Sequence, residues 1–122
     1  MPRSRFRNKV VSAAMTFAAL VGALPALAQA DGADLAEGKR IYLESCKACH
    51  GVDGKGSGAM KFNPPAADLT SPKIQEKLDA RLYNSIHEGR PNTAMGAWKH
   101  SLSAKEVLDV MSYVRTFRGS PP

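Results

Sequence analysis

A chain of 122 residues, 43% hydrophobic and 23% charged, is long enough for one domain and too short for two. Its 17 basic and 11 acidic residues give a formal charge of +6, but Arg3, Arg5, Arg7 and Lys9 precede every acid. Without those four the balance is 13 against 11, a charge of +2, and no basic stripe of the kind a nucleic-acid surface needs remains.

The first thirty residues read as a targeting segment. Basic "MPRSRFRNK" is followed by apolar "VVSAAMTFAALVGALPALA" and then by Ala28 and Ala30, an A-x-A exit. These are the three parts of a signal peptide. The sequence predicts a signal peptide over 1–30, a mature domain over 31–122 beginning at Asp31, and a periplasmic location. A retained anchor helix is the alternative, because about 19 apolar residues nearly span a bilayer. Pro25 and the A-x-A exit favour cleavage.

Residues 33–48 carry a helical stripe of Leu35, Gly38, Tyr42 and Ser45, with Glu37, Lys39, Arg40 and Glu44 largely off it. Gly38 inside a helix costs about 1 kcal/mol relative to alanine, so it is either a tolerated defect or the mark of a close helix crossing. The helix runs into "CKACH", which holds the only two cysteines, Cys46 and Cys49, and then His50.

Cysteines of an exported chain usually pair. A disulfide here would close a tiny loop for little entropic gain and would leave His50 unexplained. A thioredoxin-like redox pair needs a βαβ context, and the mature chain has no alternating β-branched run. Zinc needs four ligands, and His87 and His100 complete no finger spacing. The pattern C-x-x-C-H instead fits covalent haem attachment. Positions three apart share a helix face, so both thiols reach the vinyl groups along one porphyrin edge, and the next side chain turns an imidazole toward the iron. One haem c is predicted, with Cys46 and Cys49 attached covalently and His50 as an axial iron ligand.

From Gly51 to Leu69 the chain is "GVDGKGSGAMKFNPPAADL", a loop. A loop of this length in a compact domain is expected to wrap something, here a haem edge. Ser71 at N-cap and Pro72 at N1 open a helix with Ile74 and Leu78 facing inward. Asp79 reads as a second N-cap, for a helix that buries Leu82 and Ile86 and ends at Gly89 in the C′ position. His87 reads as a surface or capping residue near that end. "GRPNTAMGAWKHSL" has no period. The last helix opens on a capping box of Ser103 and Glu106 and buries Val107, Val110, Val114 and Phe117. The fold class is all-α, and the haem supplies much of a core that a short chain lacks.

The residues alone leave the sixth iron ligand open among Met60, Met95, Met111, His87 and His100. Met111 lies beside the buried stripe and reads as packing. Met60, ten residues after His50, would have to cross the haem edge at once. Met95 sits in the aperiodic segment, 45 residues beyond His50, and suits a loop brought across the opposite face.

On "GKRIYLESCKACHG", "GRPNTAMGAW" and "YVRTF", the chain resembles the small class I c-type cytochromes of bacteria from about Asp34 to Phe117. The resemblance implies a cytochrome c fold, about four short helices around one covalently bound haem, whose first and last helices touch at Gly38. It also implies that the carbonyl of Pro64 or Pro65 accepts the Nδ1 hydrogen of His50, and that Met95 completes His50/Met95 axial ligation. Gly96 departs from the proline that often follows the ligand, which leaves that loop more mobile. Trp98 and Arg90 are candidates for a haem propionate, and Trp98 equally for core packing.

The implied function is that of a one-electron carrier between donor and acceptor redox proteins, not an enzyme. No nucleic acid partner is expected, and membrane contact comes only through partners unless the N-terminal segment is retained. Lys47, Lys55, Lys61 and Lys99 are expected to form a local basic rim. The alternatives are a haem sensor or peroxidase-like protein with an open sixth site, and an anchored cytochrome subunit of an oxidase or dehydrogenase complex.

Overall fold

The structure, a computed structural model, describes residues 32–120. The expected signal peptide and the expected mature N-terminus at Asp31 lie outside those residues. Among the described residues there are helices and loops and no strand, and no helix is long and apolar enough to cross a membrane.

Helix α1 (Leu35–Ile41) starts at Asp34, whose carboxylate accepts the backbone N–H groups of Ala36 and Glu37 at 2.9 and 3.0 Å. It continues through a π-helical turn, Tyr42–Cys46, into α2 (Lys47–His50). One rod therefore runs from Leu35 to His50, slightly later than the sequence predicts. Its buried residues are Gly38, Ile41 and Tyr42, whereas Leu35 is half exposed and not part of the stripe.

Helix α5 (Ala104–Arg115) opens on the expected capping box of Ser103 and Glu106. It packs along α1, and Gly38 sits at the closest approach. A Cβ on Gly38 would collide with the Asp109 carbonyl, lying 2.6 Å from its carbon. The close crossing is the reason for the glycine. Asp109 is itself buried, and its carboxylate accepts the N–H of Asp34 at 2.8 Å and the Lys105 ammonium at 2.9–3.0 Å. These bonds compensate a carboxylate that burial would otherwise penalise.

Helix α3 (Pro72–Gln75) is a single turn with Ser71 at N-cap and Pro72 at N1. The Ser71 hydroxyl does not cap; it donates to the Asp68 carbonyl at 2.7 Å. Ile74 is buried as expected, but Leu78 is 74% exposed. The i, i+4 spacing fails because α3 ends before a second turn and Leu78 becomes the N-cap of α4 (Asp79–His87). Asp79 is accordingly the first helical residue and not the cap. Its carboxylate receives the Arg115 guanidinium at 2.6 and 3.1 Å. The same guanidinium donates to the carbonyls of Gln75 (2.8 Å) and Lys77 (2.6 Å), pinning α3 and α4 to the end of α5.

The core consists of Ile41, Tyr42, Leu69, Ile74, Leu82, Val110, Met111, Val114 and Phe117, with Val107 also fully buried. Inside it Gln75 is 3% exposed and donates its amide to the carbonyls of Leu69 (2.7 Å) and Val114 (2.9 Å).

The Gly38 crossing generates a test against helix propensity. Gly38→Ala gains about 1 kcal/mol of intrinsic helix preference, yet forces a methyl group into backbone. Overpacking of this kind costs about 1–3 kcal/mol, and here the neighbour cannot rotate away. Chemical denaturation should therefore show a net loss of stability; an equal or raised midpoint would mean that the helices part at no cost.

Candidate functional site

The π-turn and α2 bring the three residues of the attachment motif onto the last two turns of the rod. Cys46 closes the wide turn, while Cys49 and His50 end α2. The two cysteines do not pair with each other. Cys46 packs against the core, and its burial, with Cys49 beside it, would push an unattached thiol up to about 11.

The His50 imidazole is oriented from behind. Its Nδ1 lies 3.0 Å from the carbonyl oxygen of Ala67. A carbonyl can only accept, so Nδ1 carries the hydrogen and Nε2 keeps a lone pair for a metal. The acceptor is Ala67, not Pro64 or Pro65 as the resemblance implied. The loop explains the shift. Leu69 donates its N–H to Gly54 O at 2.6 Å, and a Cβ on Gly56 would meet Ala66 O at 2.6 Å. The Ala66–Leu69 stretch is thus laid on the Gly54–Gly56 turn, and that turn is tied to His50 by the Gly56 N–H donating to His50 O at 2.8 Å. Both prolines are exposed.

Of the candidates for the sixth ligand, Met111 is packed in the core on α5, as the sequence suggests. Met60 is 51% exposed, and its N–H is bonded to Ala48 O at 3.0 Å, which keeps it beside the attachment helix. His87 stacks on Tyr83 (ring centroids 5.2 Å apart) and its Nδ1 lies 2.7 Å from a Glu88 carboxylate oxygen; it is the surface residue that the sequence suggests. His100 is exposed.

Met95 is partly buried in a loop folded back on the end of α4. Arg90 N–H donates to Met95 O at 2.9 Å, Trp98 N–H to Ile86 O at 3.2 Å and Lys99 N–H to His87 O at 3.1 Å. Gly89, with φ +73°, makes the reversal possible: a Cβ there would lie 2.6–2.8 Å from Gly96, Met95 and Ala97 backbone atoms.

Leu43, Cys46, Tyr83, Ile86, Leu102 and Tyr113, drawn from the rod, α4, α5 and the loop before α5, are partly buried and pack against the core. Two cysteine sulfurs and an imidazole with a free Nε2, beside partly buried apolar side chains, are groups that fit a haem.

The comparisons with known proteins agree. A family model described as "Cytochrome C oxidase, cbb3-type, subunit III" matches residues 33–114. The chain belongs to this cytochrome c family.

It is similar to the cbb3-type cytochrome c oxidase subunit FixP of Bradyrhizobium diazoefficiens, 30% identical over 111 residues. That match covers 86% of this chain and 35% of FixP, so the chain spans about a third of that relative. It is also similar to cytochrome c-554(547) of Halothiobacillus neapolitanus, 30% identical over 92 residues, covering 70% of this chain and 98% of that one. Among solved structures, the KustC0563 c-type cytochrome superposes with a TM-score of 0.58 at 33% identity, covering 66% of this chain and 96% of the other. As a c-type cytochrome the protein binds haem c covalently. The haem iron, alternating between two oxidation states, supplies reversible one-electron chemistry.

Several residues that shape the cytochrome's site carry no signal in composition or spacing. Ala67 serves through its backbone, which any residue offers. Arg115, inside "YVRTF", reads as a surface cation until α3 is seen to end beneath it. The Glu88 carboxylate takes Lys99 Nζ at 2.5 Å, so one member of the expected basic rim is neutralised locally.

Gly89→Ala should loosen the Met95 loop specifically. Positive φ and backbone crowding both oppose the methyl group, at a cost of about 1–3 kcal/mol. Hydrogen exchange at the Arg90, Trp98 and Lys99 amides should accelerate about tenfold or more, with the α5 amides little changed. Equal acceleration everywhere would show that the loop is not a separate unit.

Proposed function

We propose that this chain is a one-electron carrier domain in which Cys46 and Cys49 hold haem c and His50 and Met95 are the axial ligands. The observation that carries the reading is the His50 imidazole, oriented by Ala67 O at 3.0 Å so that Nε2 is free, on the same two turns as two unpaired thiols. Met95 is favoured by its position in a loop tied to the end of α4, by the packing of Met111 in the core and by the stacking of His87 on Tyr83. A thioether ligand raises the potential and excludes exogenous ligands, which suits a carrier and not a sensor. The domain is read as passing electrons between partners rather than catalysing a reaction of its own. Residues 1–30 are proposed to export it to the periplasm.

Met95→Ala tests the ligation. The variant should bind carbon monoxide when reduced and show a lowered potential, with the haem still attached through acid–acetone extraction by Cys46 and Cys49. Met60→Ala should do neither. An unchanged low-spin spectrum in Met95→Ala that still refuses carbon monoxide would sink the assignment.

A second reading is favoured by the family model and by FixP, both named for an oxidase subunit, and by the match to an alcohol dehydrogenase (quinone) cytochrome c subunit of Gluconacetobacter polyoxogenes. The domain would then serve one such membrane complex, and its redox partners would be the neighbouring subunits. Intact mass separates the two. A free carrier should have a mature chain beginning at Asp31 with one haem, recovered without detergent; a full-length chain in the membrane fraction would establish the subunit reading instead.

A further inference from the structure

Tyr42 is fully buried, with its ring 5.4 Å from Tyr113 and 5.2 Å from Phe117. Phenylalanine would serve that packing as well. The hydroxyl is therefore the feature to explain, because a buried hydroxyl costs free energy unless it is bonded. It donates to Gly51 O at 2.6 Å.

That bond closes a circuit. Lys47 N–H donates to Tyr42 O across the π-turn, Gly51 N–H donates to Lys47 O at 2.8 Å, and the Tyr42 hydroxyl returns to Gly51 O. Cys46, Cys49 and His50 all lie on the stretch it encloses. At Gly51, with φ +80°, the chain leaves the helix immediately after His50. The Gly51 carbonyl also accepts Gly54 N–H, at a longer 3.2 Å, and the preceding carbonyl of His50 accepts Gly56 N–H at 2.8 Å. The peptide that carries the imidazole is thereby fixed relative to Ala67 O, the acceptor that sets the ring's direction.

We propose that Tyr42 is a positioning residue for the His50 imidazole, acting through its hydrogen bond to the Gly51 carbonyl. The proposal rests on the reading of His50 as an iron ligand. Burial raises the phenol well above its ordinary value, so the hydroxyl stays a donor throughout the physiological range. Without it Gly51 O keeps only the longer bond from Gly54, and the His50–Ala67 bond loses its fixed geometry. A weaker bond at Nδ1 makes the imidazole less basic and a poorer donor to ferric iron.

The test uses the haem-loaded protein and Tyr42→Phe, with Val114→Ala as a control that loosens the same core cluster and leaves the Gly51 bond alone. In Tyr42→Phe the exchange of the His50 Nδ1 proton, read by NMR, should accelerate about five- to tenfold, the loss of one net hydrogen bond. The reduction potential should rise, and the hyperfine-shifted imidazole resonances should move. Val114→Ala should lower the melting temperature with potential and resonances unmoved. If Tyr42→Phe changes stability alone, or Val114→Ala shifts the potential equally, the positioning role is overturned. If the unaltered protein shows no hyperfine-shifted His50 resonances, the ligand assignment fails first and the proposal falls with it.

Discussion

The architecture depends on a missing side chain. At Gly38 the backbone of α1 meets the backbone of α5, and any Cβ would strike the Asp109 carbonyl. Asp109 engages the rod a second time through its carboxylate, which accepts the N–H of Asp34 at the helix start. One residue of α5 thus sets both the depth and the register of the rod. Further along, Phe117 meets the Tyr42 ring and fills the space beside Gly54. Helix α5 is in effect a ruler against which the attachment turn is placed.

A domain of this size has little apolar area to bury, and small cores are marginal on that account. The protein compensates with polar pins. Arg115 gathers two carbonyls and the Asp79 carboxylate, and Gln75 bridges a loop carbonyl to one on α5. These contacts add directional constraint where short helices offer few side chains to interdigitate. Covalent haem adds the rest of the apolar interior and makes its retention independent of the strength of any axial bond.

What was legible in the sequence follows from how local each signal is. The capping box, the buried stripe of α5 and the Gly89 stop are written in neighbouring residues, and the structure repeats them; the C-x-x-C-H motif is equally local. Leu78 and Asp79 were misassigned because a periodic rule was carried past the end of a one-turn helix, and where that helix ends is decided by Arg115, some forty residues away. The Ala67 acceptor was invisible for a related reason. A carbonyl has no letter of its own, and only the tie from Leu69 to Gly54 aims it. Tyr42 was read as a stripe residue, which it is, but its hydroxyl acts nine residues downstream.

The ties of the Met95 loop have a kinetic consequence. They run within the loop or to the end of α4, through Ile86, His87 and Glu88, while the attachment turn is secured by α5 and by its own circuit. Under the proposed His50/Met95 ligation, the two walls of the site belong to different cooperative units, each with its own opening rate. One wall keeps the prosthetic group on the chain for the life of the protein. The other can breathe on a far shorter timescale, so the electronic character of the centre can fluctuate while its composition does not.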